Sequence, residues 1–141
     1  MASPPPSSRP LPARFFSCDW GTSSFRLRLV DTSSGTVLRQ VINNRGVRDV
    51  AAGLPPHAGA TERALAFETE LAQHILSMPD AQDALSATAP VVVSGMASST
   101  IGWKELPYAR TPFCVDGSNA TADWISVRLQ GPRTLPVLLI S

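Results

Sequence analysis

The sequence predicts an α/β domain whose mixed sheet opens with a three-strand antiparallel meander and is flanked by helix. Three observations carry that prediction. Two short apolar runs joined by a tight turn stand near the N-terminus, an amphipathic stretch of helical period occupies the middle, and the β-branched run Val91-Val-Val follows it. Strands, then a crossover helix, then a further buried strand make an α/β order, with the early strands antiparallel and the later ones partly parallel.

Residues 1–14 are rich in Pro and Ser and lack an apolar h-region, so they read as a disordered leader outside the fold and not as a signal peptide. Residues 15–18 form the first strand and end at Asp19. After the Gly-Thr-Ser-Ser turn, Phe25, Leu27 and Leu29 alternate with Arg26 and Arg28, the period of a half-buried strand. A second turn with Gly35 leads into a third strand over residues 37–42. Residues 43–60 carry Gly46, Gly53, Gly59 and Pro55-Pro56, too many breakers for a regular element, and are expected to form a long loop. From Thr61 as N-cap, Ala64, Phe67, Leu71, Ile75 and Met78 follow three-and-four spacing until Pro79. Residues 91–94 read as a buried strand, and residues 113–115, 124–129 and 137–140 as further strands.

Composition excludes several function classes. Twelve Lys and Arg against eleven Asp and Glu leave a net charge of +1, so no strong field draws nucleic acid or an anionic membrane surface. The longest apolar runs fall far short of the roughly 20 residues a membrane helix needs. Cys18 and Cys114 are the only cysteines. Without a secretory signal, two reduced thiols in a cytoplasmic protein are expected. His57 and His74 have no metal-ligand spacing to either cysteine and read as solvated.

The stretch from Cys18 to Arg26 places an acid, a glycine and three hydroxyls in a tight turn between apolar strands. A phosphate site is made of such parts. Gly21 admits close approach of an anion, and turn amides can point at phosphate oxygens. Asp19, at the strand end, suits a Mg²⁺ that keeps most of its waters. The same residues also suit an ordinary β-hairpin turn. Neither of the commoner nucleotide motifs is present. Glu105 stands where a P-loop needs Ser or Thr, and no Gly-x-Gly-x-x-Gly separates a strand from a helix.

Residues 94–108 follow the buried strand and gather Ser98, Ser99, Thr100, Lys104 and Glu105 with Trp103 and Tyr108. Loops at the C-terminal ends of sheet strands are where α/β proteins bind ligands. Trp103 and Tyr108 suit a wall for a sugar ring, and Lys104 and the hydroxyls suit its hydroxyl and carboxylate groups. A surface loop anchored by a core tryptophan accounts for the same composition.

In tandem the two segments are more specific than either alone. Asp19-Trp-Gly-Thr-Ser-Ser-Phe-Arg26, with Gly95-Met-x-x-Ser99-x-x-Gly102-Trp103-x-x-x-Pro107-Tyr108 about seventy residues later, resembles the 2-dehydro-3-deoxygalactonokinases. The resemblance implies that residues 15–141 are the N-terminal, ribonuclease-H-like lobe of a two-lobe kinase of the actin-like ATPase superfamily, the C-terminal lobe being absent. It implies transfer of the ATP γ-phosphate, with Mg²⁺, to the 6-hydroxyl of 2-dehydro-3-deoxygalactonate in galactonate degradation. Asp19, Gly21, Thr22 and Ser23 match the family's first phosphate motif, with Asp19 near a water-held Mg²⁺, and Arg26 matches a position in its second strand. Arg45 and Gly46 match a substrate-side loop. Gly95, Met96, Ser99, Gly102 and Trp103, with Lys104 beside them, match a sugar-side loop. The catalytic base is expected beyond Ser141, so the chain alone is expected to be weak or inactive. A non-catalytic sugar-acid- or nucleotide-binding module is the alternative. The apolar terminal strand predicts an uncapped sheet edge and self-association.

Overall fold

The structure, a computed structural model, describes residues 10–86 and 88–141. Residues 1–9 of the expected leader lie outside that range, and the first strand, β1 (Arg14–Trp20), begins on the leader's last residue. β1 pairs antiparallel with β2 (Phe25–Asp31), which pairs antiparallel with β3 (Val37–Asn43). The remaining strands are β4 (Val91–Gly95), β5 (Ala122–Arg128) and β6 (Thr134–Ile140). One six-stranded mixed sheet results, in the order β3-β2-β1-β4-β6-β5, with β1, β4 and β6 parallel.

Period-two alternation decides which side of the sheet is buried. Phe16, Cys18 and Trp20 of β1, Phe25, Leu27 and Leu29 of β2, and Leu135, Val137 and Leu139 of β6 are all at most 2% exposed. Helix α2 (Ala60–Ser77) covers them with Phe67, Leu71 and Ile75, and the short α3 (Ala81–Ser86) adds Ala84 and Leu85. Trp20 stands at the centre of an aromatic cluster, with ring centroids 5.0 Å from Phe25, 5.2 Å from Phe67 and 6.4 Å from Trp103.

Several expectations are corrected. The stretch 43–60 is not a continuous loop, since it contains α1 (Val47–Ala52). Gly59, not Thr61, caps α2, with the Glu62 carboxylate accepting from its amide. Residues 113–115 form no strand. They lie in a run of turns organised by Asn119, whose side chain accepts from the Cys114 amide and donates to the Pro112 carbonyl. The terminal strand is not an edge either. β6 lies between β4 and β5, and the edge strands are β3 and β5.

Because β1, β4 and β6 are parallel, their C-terminal ends emerge at one end of the sheet. The turn after β1, the segment after β3 and the loop after β4 lie there. The start of α2 joins them, since Arg63 donates from Nη1 to the carbonyls of Ile101 and Gly102.

Candidate functional site

Asp19 is the last outward-facing residue of β1. Its register partners are Arg26 on β2 and Ser94 on β4, so these three exposed residues share the sheet face opposite the core. Among the described residues, the side chains of Asp19 and Arg26 have no hydrogen-bond or ion-pair partner. Two uncommitted opposite charges therefore flank the turn. The turn closes with the Gly21 amide donating to the Ser24 carbonyl at 2.8 Å, while the amides of Thr22 and Ser23 meet no protein acceptor.

The segment after β3 is pressed against this turn. A Cβ on Gly46 would lie 2.2 Å from the Thr22 carbonyl oxygen and 2.4 Å from the Ser23 nitrogen, closer than any side chain tolerates. The next two amides, of Val47 and Arg48, donate to the carbonyls of Gly21 and Thr22. The first amides of α1 are thereby consumed by the turn. Trp20 adds a bond from its indole Nε1 to the Arg45 carbonyl at 3.1 Å.

β4 closes the other side. Gly95 has φ +98°, a left-handed conformation that favours glycine, and a Cβ there would lie 2.7 Å from the Trp20 carbonyl and 3.2 Å from Asp19 Oδ1. Only a residue without a side chain lets the end of β4 sit this close to Asp19. Met96 begins the 3₁₀ turn that follows, and the Ser99 hydroxyl donates to its carbonyl. Thus Asp19, Gly21, Thr22, Ser23, Arg26, Arg45, Gly46, Gly95 and Met96 come together at one end of the sheet.

The rest of the predicted sugar-side loop goes elsewhere. Gly102 is pinned against the carbonyls of Met96 and Ala97, and Trp103 is 3% exposed, its ring stacked at 10° on Phe67. Trp103 is thus a core residue with only an edge toward solvent, not an open wall, because the loop turns its ring inward onto α2. Tyr108 is 77% exposed and walls nothing. Lys104 pairs with Asp123 on β5, whose carboxyl it holds below the usual range. A cleft of about 800 Å³ opens beside this pair, between α2, residues 100–105 and β5, with Trp124 on its rim. Arg63 and Lys104 are balanced there by Glu68 and Glu105, and burial raises the Glu68 carboxyl. The cleft offers no excess positive charge to an anion, and Asp19 does not line it. The unpartnered amides lie at the Asp19 turn, away from this cleft.

The sequence reading missed Glu70 and His74. Glu70, 14% exposed, accepts from Arg45 Nε at 3.0 Å and Nη2 at 3.1 Å, which holds its carboxyl below the usual range. His74 is not solvated. Its Nε2 lies 3.1 Å from Glu70, and its ring lies 4.4 Å from that of Phe25. The i,i+4 spacing of the two residues was the available signal.

Residues 19–139 match the family model for 2-keto-3-deoxy-galactonokinase, where 2-keto and 2-dehydro denote the same group. The chain belongs to this family. The 2-keto-3-deoxy-galactonokinase match starts at Asp19 itself. A curated relative, the probable 2-dehydro-3-deoxygalactonokinase DgoK1 of Rhizobium meliloti (strain 1021), is 34% identical over 94 residues, covering 67% of this chain and 25% of the relative. A crystal structure from Sinorhizobium meliloti, described as a 2-dehydro-3-deoxygalactonokinase protein, superposes with a TM-score of 0.58 at 27% identity, covering 89% of this chain and 34% of that one. The chain therefore spans a quarter to a third of the length of these galactonokinase relatives.

The residues fit the cofactor that a sugar kinase family implies, ATP with Mg²⁺. Mg²⁺ takes one or two carboxylates and keeps its waters, and Asp19 is a single free carboxylate. Among the described residues no three His, Cys, Asp or Glu side chains cluster into a metal cage. No helix among them is long and apolar enough to cross a membrane.

Proposed function

We propose that the chain supplies the phosphate-binding part of a kinase that phosphorylates the 6-hydroxyl of 2-dehydro-3-deoxygalactonate in galactonate degradation. Residues 15–141 are, in this reading, the N-terminal lobe of a two-lobe, ribonuclease-H-like enzyme acting in the cytoplasm. The observation that carries it is the convergence of a free carboxylate, two free turn amides and Gly95 at the end of β1.

Phosphoryl transfer depends on alignment and charge stabilisation more than on covalent help from the protein. MgATP supplies the transferable phosphoryl group and the metal charge that neutralises it. The amides of Thr22 and Ser23 would hold phosphate oxygens, with Gly21 keeping that approach open. Asp19 would hold the metal, with the positive charge of Arg26 in register beside Asp19. Glu70 occupies Nε and Nη2 of Arg45, leaving Nη1 for the sugar acid. Gly46, Gly95, Met96 and Ser99 shape the site through backbone, while Lys104 and Trp103 belong to the separate cleft. The base that deprotonates the 6-hydroxyl comes from outside these 141 residues, so turnover by the chain alone is weak.

Calorimetric titration with MgATP, alongside ADP release in the presence of 2-dehydro-3-deoxygalactonate, tests the proposal. Binding weakened about tenfold or more by Asp19→Asn is expected, a loss of roughly 1.4 kcal/mol. Absence of MgATP binding, or binding indifferent to Asp19→Asn, contradicts it. Binding without turnover in a protein that also carries the relatives' remaining length favours a non-catalytic module.

A further inference from the structure

We propose that Glu70 is a positioning residue, a clamp on α2 that holds the phosphate turn in shape through Arg45. This rests on the reading of the Gly21–Ser24 turn as a phosphate site. The connection is continuous. Glu70 grips Arg45 by two parallel hydrogen bonds, the geometry in which a carboxylate and a guanidinium fix each other's orientation. The backbone of Arg45 is tied on both sides, its amide donating to Asn43 Oδ1 at 2.8 Å and its carbonyl accepting from the Trp20 indole. The following Gly46 lies against Thr22 and Ser23 without room for a methyl group. A displacement of Arg45 therefore carries to the turn through one residue.

Burial makes Glu70 more than a surface partner. Arg45 is half exposed while Glu70 is 14% exposed, so removing Arg45 leaves a mostly buried carboxylate with His74 as its remaining neighbour. His74 lies 3.4 Å from the Asn43 side chain, tying α2 to both ends of the 43–45 segment. The clamp acts at a distance, since among the described residues the Glu70 side chain makes its hydrogen bonds and ion pairs with Arg45 and His74 and none with the turn.

The test uses the purified 141-residue chain as wild type, Glu70→Gln, Arg45→Ala and the double variant. Three quantities are read: MgADP affinity by calorimetry, the ¹H–¹⁵N resonance of the Trp20 indole, and the thermal unfolding midpoint. Glu70→Gln is expected to weaken MgADP binding about fivefold and to move the Trp20 indole resonance, with little change in unfolding midpoint. The double variant is expected to be no worse than the more damaged single one, because both cut the same clamp. Wild-type affinity and an unmoved indole in Glu70→Gln overturn the proposal, as do single-variant losses that simply add. If the wild-type chain binds no MgADP, the kinase reading fails. The indole resonance then decides the clamp alone, and an unmoved signal in both single variants overturns it.

Discussion

Gly46→Ala separates packing from backbone strain with unusual clarity. Gly46 caps α1 at φ −74°, ψ 175°, and Gly59 caps α2 at φ −78°, ψ 176°. Both conformations are open to any residue, so neither alanine incurs a dihedral penalty, and both lose the same modest preference for Gly over Ala at an N-cap. The two differ in what the new methyl group meets. At 59 nothing lies within 4 Å, whereas at 46 the Thr22 carbonyl oxygen stands at 2.2 Å and the Ser23 backbone at 2.4 Å. The contact atoms are backbone and cannot swing aside, so the turn or α1 must shift. Overpacking of this kind costs about 1–3 kcal/mol, which for a chain of this size lowers the unfolding midpoint by roughly 3–9 °C. Thermal denaturation followed by circular dichroism measures it, with Gly59→Ala as the reference, and MgADP binding should weaken in the 46 variant alone. A Gly46→Ala protein as stable as Gly59→Ala, with unchanged MgADP affinity, refutes the argument that position 46 backs the turn.

Trp103→Ala should destabilise the chain by about 3–5 kcal/mol, because the ring stacks on Phe67 inside the core; an unchanged unfolding midpoint would instead restore Trp103 to the role of an exposed wall. The hydrogen bonds from Ser33 Oγ and from the amide and hydroxyl of Ser34 pull the Asp31 carboxyl down to about 2. Its pKa is depressed on folding, so its stabilisation is complete above about pH 4, the unfolded value, and fades as pH falls through about 2. The gap in unfolding midpoint between wild type and Asp31→Asn should therefore stay constant down to about pH 5 and close near pH 2, and a gap that persists there contradicts the assignment. Burial, reinforced by the neighbouring Asp19 charge, pushes the Cys18 thiol far up, while Cys114 is exposed. A thiol-reactive chromophore should titrate Cys114 alone in the native chain and both cysteines after denaturation, and early reaction of Cys18 would count against the packing of β1.

Much of the fold is legible in residue periodicity. Leu27 and Leu29 alternating with arginines announce β2, and Phe67, Leu71 and Ile75 announce the covering face of α2, because each pattern reports which side chains meet the core. What escapes the sequence depends on tertiary contact. α1 is only six residues long, is preceded by Gly46 and followed by Gly53 and Pro55, and its first amides bond to the Gly21 turn and not to a side-chain cap. No local pattern encodes such a helix. Phe113 and Val115 are apolar but have no strand beside them, and they remain exposed in a run of turns. The site shows the same division. Asp19, the turn and Gly95 can be found from residue type and spacing, since close backbone approach demands glycine. Glu70 becomes visible only once α2 lies beside Arg45, and Trp103 could be assigned to core or wall only once its ring had a neighbour.

The central claim, that Asp19, the Gly21–Ser24 turn and Gly95 form one phosphate and metal site, is tested most directly by ¹H–¹⁵N spectra of the 141-residue chain titrated with MgADP. The amides of residues 19–24, 45–48 and 95–96 should shift together with a single affinity, and those of residues 100–105 and 124–126 around the separate cleft should stay in place. Shifts centred on the cleft, or none at the turn, would contradict it.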